Sequence, residues 1–226
     1  MTHPENTPAS LPATRPKTTL PAEGFVGRAR RARAEPMAVR PLRDGRYVVE
    51  TDSGTYVVDL ETRTCTCPDH AIRGARCKHL RRVALEVTNR MVPPPGERTA
   101  VCAVCGARTF VPMAATGPHL CARHRLVPGE VVRDRETEDL LVVVHETGVR
   151  ADDFETAEGR RVADYETNAD YGPQEPVYLA VYLDSLRRDD AAEARQYAFP
   201  ASRLHPERRR ERDPDPETGS PSATPA

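Results

Sequence analysis

The chain has 226 residues, of which 33 are basic and 34 acidic, and its formal net charge is only −1. Hydrophobic residues make up 38% of it, tryptophan is absent and 22 prolines interrupt it. These figures argue against one large apolar core, and the longest apolar run, Leu140 to Val144, is too short to span a bilayer. They favour small modules that need cross-links in addition to apolar burial.

The small net charge hides an asymmetry between the two halves of the chain. Residues 23–92 hold 14 basic and 9 acidic residues, a difference of +5, whereas residues 127–203 hold 9 and 18, a difference of −9. A polyanion is therefore expected to meet the first part of the chain rather than the second.

The first predicted module spans residues 23–92 and follows a disordered tail, 1–22, that is rich in Pro, Thr and Ala. Its arginine-rich segment, residues 28–33, predicts a short basic helix or arm. Residues 47–51 and 55–60 predict two strands of a hairpin joined through Asp-Ser-Gly, with a short third strand at 64–67. Apolar residues at three- and four-residue steps from Leu80 to Met91 then predict a helix, which the three prolines at 93–95 end.

Four candidate metal ligands lie in this module: Cys65, Cys67, Cys77 and His79. At the end of a strand, two cysteines that are separated by one residue place their side chains on the same face of the sheet. The side chains of Cys77 and His79 converge on one point only if Cys77 immediately precedes the helix. Three thiols and an imidazole form a tetrahedral donor set of the kind that zinc prefers. Disulfides are the rival interpretation, but no leader peptide with an apolar region is seen from Met1 to Leu20, so we expect reduced thiols and a cytoplasmic protein.

A β-hairpin followed by C-x-C and then by C-x-H entering a helix resembles the SWIM zinc finger. The ligands of that family fall on the same four residues of this chain without departure, and the resemblance covers roughly a third of the sequence. It implies a zinc-stabilised fold that binds DNA or a protein partner.

A basic cluster surrounds the second ligand pair and the predicted exposed face of the helix, and we take its members as candidate nucleic-acid contacts: Arg73, Arg76, Lys78, Arg81 and Arg82. An ordinary solvated helix face is the alternative. Cations near a helix N-terminus oppose the helix dipole, however, so local structure gains nothing from them. Only Tyr47 and Tyr56 are placed to stack on bases, which does not favour sequence-specific reading of single strands.

The second predicted module, residues 97–126, resembles a zinc ribbon. Its candidate ligands are Cys102, Cys105, Cys121 and His124, in the spacing C-x2-C and C-x2-H. His119 is a rival for the fourth position. Gly106 suits the tight turn after the first pair, and residues 109–111 predict a strand.

The third predicted module, residues 127–205, is acidic and lacks cysteine, and residues 206–226 form a second disordered tail. Short strands are predicted at 130–133, 140–144, 161–165, 177–183 and 196–199. The whole chain is thus expected to be an α+β protein with a zinc-stabilised hairpin and helix, a zinc ribbon and a small β-rich domain.

The function expected from the sequence is zinc binding at two structural sites, together with DNA binding. A protein-interaction adaptor that uses the same finger is the alternative. Catalysis is not expected, because each set supplies four protein ligands and leaves no open position for water. No small-molecule substrate or membrane is expected as a partner.

Overall fold

The computed structural model describes residues 15–186 and 194–207. The predicted α+β class is confirmed, since helices and antiparallel sheets both occur. The described residues form two compact units, the first holding 15–102 and 106–121, and the second holding 103–105, 122–186 and 194–207. Residues 1–14 and 208–226, most of the two predicted tails, lie outside the described residues. The division into three modules at 23–92, 97–126 and 127–205 stays a prediction.

The first unit contains a four-stranded antiparallel sheet in the order β1-β2-β3-β4 and a separate β5-β6 hairpin. Its elements in chain order are α1 (Gly27–Ala34), β1 (Ala38–Pro41), β2 (Tyr47–Thr51), β3 (Gly54–Asp59), β4 (Thr64–Cys65), α2 (Pro68–Arg73), α3 (Lys78–Thr88), β5 (Glu97–Val101) and β6 (Arg108–Pro112).

The core of this unit lies between the sheet and α3. The apolar positions of α3, among them Leu80 and Val83, pack on Val49 and Val58 of the two central strands. Three of the cysteines belong to the same core cluster. The apolar interior of the sheet and these three cysteines, all candidate metal ligands, therefore belong to one packed core.

Part of the predicted N-terminal tail is ordered against this unit. Thr18 exchanges backbone hydrogen bonds with Met37, and the amide of Leu20 donates to the carbonyl of Arg33. The Arg15 guanidinium donates to the carbonyl oxygen of Val39. Residues 15–22 are thus held by backbone pairing that composition alone does not reveal.

The second unit is built on a five-stranded antiparallel sheet in the order β10-β9-β8-β7-β11. One 3-10 turn, Ala201–Arg203, carries the chain from one edge strand to the other. The elements are β7 (Val131–Asp134), β8 (Leu140–Arg150), β9 (Pro176–Tyr182), α4 (Leu183–Leu186), β10 (Tyr197–Pro200) and β11 (Leu204–Pro206).

The predicted strand at 161–165 is wrong. Val162–Asp164 forms a 3-10 turn instead, followed by a second one at Glu166–Asn168. Val162 is buried in a small core cluster, and the side-chain amide of Asn168 donates to its carbonyl oxygen at 2.7 Å. A buried side chain that satisfies the backbone in this way takes the place of a neighbouring strand.

An ion pair is buried inside the second unit. The guanidinium of Arg203 donates to both carboxylate oxygens of Asp134 at 2.7 Å, and also to the Asn168 side chain at 2.8 Å. The pKa of Asp134 is lowered, because the hydrogen bonds from Arg203 and neighbouring groups outweigh burial, which alone would raise it. This pair ties the turn before β11 to the end of β7.

Candidate metal centres and the basic surface

The first four candidate ligands stand at the ends of short elements. Cys65 closes β4, Cys67 is the N-cap of α2, Cys77 is the N-cap of α3, and His79 is the second residue of α3. The Leu80 amide donates to the sulfur of Cys77 at 3.5 Å. The sequence requirement that Cys77 precede the helix, with His79 in the first turn, is met.

These four side chains form a compact, buried donor set. Their ligand atoms all lie within 4.8 Å of one another. The Nδ1 atom of His79 is 3.8 Å from Cys65 Sγ, and its ring stacks on Tyr56 with a centroid separation of 4.4 Å. His79 Nε2 is buried and has no hydrogen-bond partner among the described residues.

Of the three thiols, Cys77, at the start of α3, is the one whose deprotonated form is favoured. The pKa of Cys77 is lowered to about 3, first because the Cys65 thiol donates a hydrogen bond to its sulfur, with His79 and the Leu80 amide adding to the effect. The pKa of Cys65 is raised by that donation to Cys77, and the pKa of Cys67 is raised mainly by burial. Further ionisation of this buried set requires a compensating cation, so the donor chemistry fits a thiophilic metal such as zinc.

The second set is also brought together. The ligand atoms of Cys102, Cys105, Cys121 and His124 lie within 4.8 Å of one another. Gly106 has φ of 70° and donates from its amide to the carbonyl of Cys102, as expected for the turn after the first pair.

His119, the rival fourth ligand, has another position. Its Nε2 atom lies 2.9 Å from the Arg98 guanidinium, and its backbone pairs with Cys102. The structure therefore places His124, and not His119, with the three thiols.

The predicted basic surface needs one correction, which concerns Arg82. Its side chain is fully buried and pairs with Glu86 at 2.7 Å. It also donates to the carbonyl oxygens of Thr18 and Met37. Arg82 links the N-terminal segment to α3 and is not exposed to a phosphate.

Two further members of the basic cluster already have carboxylate partners. Asp69 accepts from Arg28 on α1 and also from Arg73 at 2.7 Å, and these contacts hold the pKa of Asp69 well below its usual range. Lys78 pairs with Glu35, which follows α1. These pairs bring α1 close to the first residues of α2 and α3.

The other two members, Arg76 and Arg81, make no ion pair with a described carboxylate, and neither do Arg30 and Arg31 of α1. Arg30, Arg31 and Arg76 are exposed. Since α1 packs on α3, we define the basic surface by these four side chains: Arg30, Arg31, Arg76 and Arg81.

Sequence reasoning did not assign the acidic and aromatic residues that organise this site. Glu86 follows Arg82 by four residues on α3, a spacing that favours ion pairs on a helix and was a readable signal. Asp69 has the same four-residue spacing to Arg73 on α2. Its pair with Arg28, 41 residues away, gave no such signal, and neither did the stacking of Tyr56 on a ring 23 residues away.

Residues 56–87 match the family model of the SWIM zinc finger. Comparison with curated proteins and with solved structures finds no match. No helix among the described residues has the length and apolar character needed to cross a membrane.

Proposed function

We propose that the SWIM zinc finger at residues 56–87 binds one zinc ion through Cys65, Cys67, Cys77 and His79. The second set, Cys102, Cys105, Cys121 and His124, binds another. Both ions have a structural role, because four protein ligands fill the tetrahedral positions and leave none for a reacting water. We therefore propose a non-enzymatic protein, located in the cytoplasm, where thiols stay reduced.

We further propose that this finger binds DNA through the basic surface. The observation that carries the proposal is that Arg30, Arg31, Arg76 and Arg81 lack carboxylate partners among the described residues, although acidic groups neutralise their neighbours. Guanidinium groups that are not neutralised within the protein supply the electrostatic attraction for phosphates.

Two observations favour duplex phosphates over stacked single-stranded bases. Tyr47 is 1% exposed, and its hydroxyl donates to the Pro93 carbonyl at 2.8 Å. Tyr56 stacks on His79. Both tyrosines that the sequence offered for base stacking are thus engaged within the fold, whereas single-strand binders present exposed aromatic rings.

The proposal is tested by fluorescence anisotropy of a labelled DNA duplex titrated with zinc-loaded full-length protein across a salt series. Four phosphate contacts predict a slope of log affinity against log salt of roughly −3 to −4. The double variant Arg31→Ala, Arg81→Ala removes two of them, so the slope should become shallower by about 2.

Arg43→Ala is the matched control for that experiment. Arg43 is exposed in the turn between β1 and β2, and Gly45 of this turn lies near Pro95, beyond the C-terminal end of α3. Arg43→Ala removes one charge, as each substitution of the double variant does, but it should leave the slope of log affinity against log salt unchanged. Equal losses in control and double variant, or no duplex binding at low salt, would overturn the DNA proposal.

A further inference from the structure

We propose that the finger carries a second binding site, a groove that takes an acidic peptide segment with an aliphatic side chain from a partner protein. The groove is a cavity of about 570 Å³ between the β3–β4 turn, the α2–α3 loop and α3. This inference does not depend on DNA binding and goes beyond it. The lining residues are Leu60, Arg63, His70, Gly74, Arg76, Leu80 and Ala84.

The floor of the groove is aliphatic. Leu60 and Ala84 are half-buried, and Leu80 joins them from the first turns of α3. Beside the groove, on α2 between His70 and Gly74, Ile72 has 81% of its surface exposed. A volume in the range of ligand pockets with such a floor suits the insertion of an aliphatic side chain.

The rim of the groove is basic. Arg63 and Arg76 are exposed and make no ion pair with a described carboxylate, and no Asp or Glu lines the cavity. His70 donates from Nδ1 to the Ala75 carbonyl at 3.0 Å, which fixes its ring at the edge. Charge complementarity therefore favours carboxylates on the segment that enters.

An aliphatic floor distinguishes this occupant from nucleic acid. Bases stack on aromatic rings, and no Phe, Tyr or Trp lines the groove. The floor has no polar side chain that would read a base edge. A leucine or isoleucine side chain would pack on the aliphatic floor, and flanking Asp or Glu residues would pair with the arginines of the rim.

The backbone of Arg63 makes an unusually clean test variant possible. Arg63 has φ of 56°, in the left-handed region where glycine is favoured. Arg63→Gly removes the cation and relieves the backbone, so its effect on binding is not a folding defect. Arg90 also has a positive φ, 55°, and lies outside the groove, so Arg90→Gly is the matched control.

The probe is a short fluorescein-labelled peptide rich in Asp and Glu with two leucines, titrated by anisotropy with zinc-loaded full-length protein. Two comparison peptides replace either the leucines by serine or the acidic residues by lysine. Binding of the first peptide, with both comparison peptides at least roughly tenfold weaker, supports the proposal. Equal binding of the serine peptide would show attraction by charge alone and overturn it.

The variants separate this site from the DNA surface. Arg63→Gly should weaken binding of the leucine peptide by roughly tenfold, because one charge-assisted contact is lost. Arg90→Gly should leave the affinity for this peptide unchanged. Ala84→Glu keeps a good helix former on α3 and places a carboxylate on the floor of the groove. It should weaken binding of the leucine peptide at least as much as Arg63→Gly does. The double variant Arg31→Ala, Arg81→Ala should reduce duplex binding but not peptide binding.

The effect of Arg63→Gly on duplex binding provides the contrary outcome. If this substitution weakens duplex binding and leaves peptide binding unchanged, the groove belongs to the DNA surface and the peptide site is rejected. A protein that binds the peptide but no DNA would retain this inference and reject the DNA proposal.

Discussion

At the scale of single residues, Arg82 is a basic side chain with a structural role in the interior of the first unit. It is an arginine with no exposed surface, and its guanidinium satisfies Glu86 together with backbone oxygens of the N-terminal segment. Arginine suits such a position because its several N–H groups donate in fixed directions. Arg82, which the sequence pattern predicts as a nucleic-acid contact, thus stabilises the interior of the first unit.

Replacing Arg82 should therefore unfold the first unit more easily. Arg82→Ala leaves the Glu86 carboxylate buried without its partner, a loss that typically costs about 3–5 kcal/mol. Urea unfolding of zinc-loaded protein, followed by far-ultraviolet circular dichroism, measures the change in free energy of unfolding. Arg81→Ala, one residue earlier, should stay within about 0.5 kcal/mol of the wild type. Similar losses in the two variants would contradict the buried role.

The ion pair of the second unit predicts a pH dependence. A carboxyl whose pKa is lower in the folded state contributes stability above its unfolded pKa, about 3.9, and loses it as the pH falls through the folded value. The pKa of Asp134 is lowered in this sense, with Arg203 as its partner. Asp134→Asn should be less stable than the wild type at pH 7, and the difference should narrow below about pH 4.

Hydrogen exchange followed on peptides from β7 to β11 measures this difference within the second unit. Asp164→Asn is a suitable control, because Asp164 forms no ion pair with a described residue. A gap between wild type and Asp134→Asn that stays constant from pH 7 to pH 3 would contradict the assignment.

Local spacing made the ligands predictable, whereas long-range partners were not. The first four ligands occupy only 15 positions, from Cys65 to His79, and their convergence follows from strand and helix geometry. The burial of Arg82 depends on Thr18, which lies 64 residues earlier. No periodicity in α3 carries information about that contact.

At the scale of elements, α2 lies in the segment between the candidate ligands Cys67 and Cys77, and its two ends have clear local causes. Pro68 occupies the first turn, where its missing N–H is not needed, and Gly74 ends the helix with φ of 60°. Six residues are too few to display a helical period, so the sequence did not predict this helix. Proline at the start and glycine at the end were its only local signals.

Gly74→Ala isolates the backbone contribution of that helix end. An added Cβ would meet no atom within 4 Å, so the cost comes from the left-handed conformation, about 1–2 kcal/mol. Urea unfolding of the zinc-loaded variant should show this loss. Arg63→Gly, with φ of 56°, should change stability in the opposite direction. Destabilisation by both substitutions would contradict the explanation.

The strands were predicted where apolar alternation and turn residues agree, and missed where neither is present. Residues 47–51 coincide with β2, since the hairpin turn and alternation both mark them. β1 and β11 are short and each ends in proline, and they form by pairing with strands placed by other contacts. Their sequences alone carry too little apolar signal to reveal this.

At the scale of the whole molecule, the proposed metal binding and apolar burial are expected to contribute differently to the two units. The core cluster of the first unit includes Cys65, Cys67 and Cys77, whereas the sheet of the second unit buries Val132, Leu141 and Tyr178. Removal of metal by a chelator at neutral pH should therefore reduce exchange protection in residues 47–92. Residues 131–206 should keep their protection.

Hydrogen exchange with and without chelator, read on peptides of both units, measures that difference. Restoring zinc should restore protection in residues 47–92, which controls for irreversible oxidation of the thiols. Unchanged protection throughout the chain after complete loss of metal would contradict the proposed structural role.

The short ligand-bearing segment after β3 has one more consequence. Thr66 exchanges hydrogen bonds with the backbone of Val57, through its amide at 3.0 Å and its hydroxyl at 2.9 Å, and so covers the outer side of β3. The proposed zinc ion holds this segment at Cys65 and Cys67, so loss of that ion should expose a strand edge rich in β-branched residues. Self-association into insoluble material, rather than simple loss of binding, is the fate to expect of the finger under metal limitation.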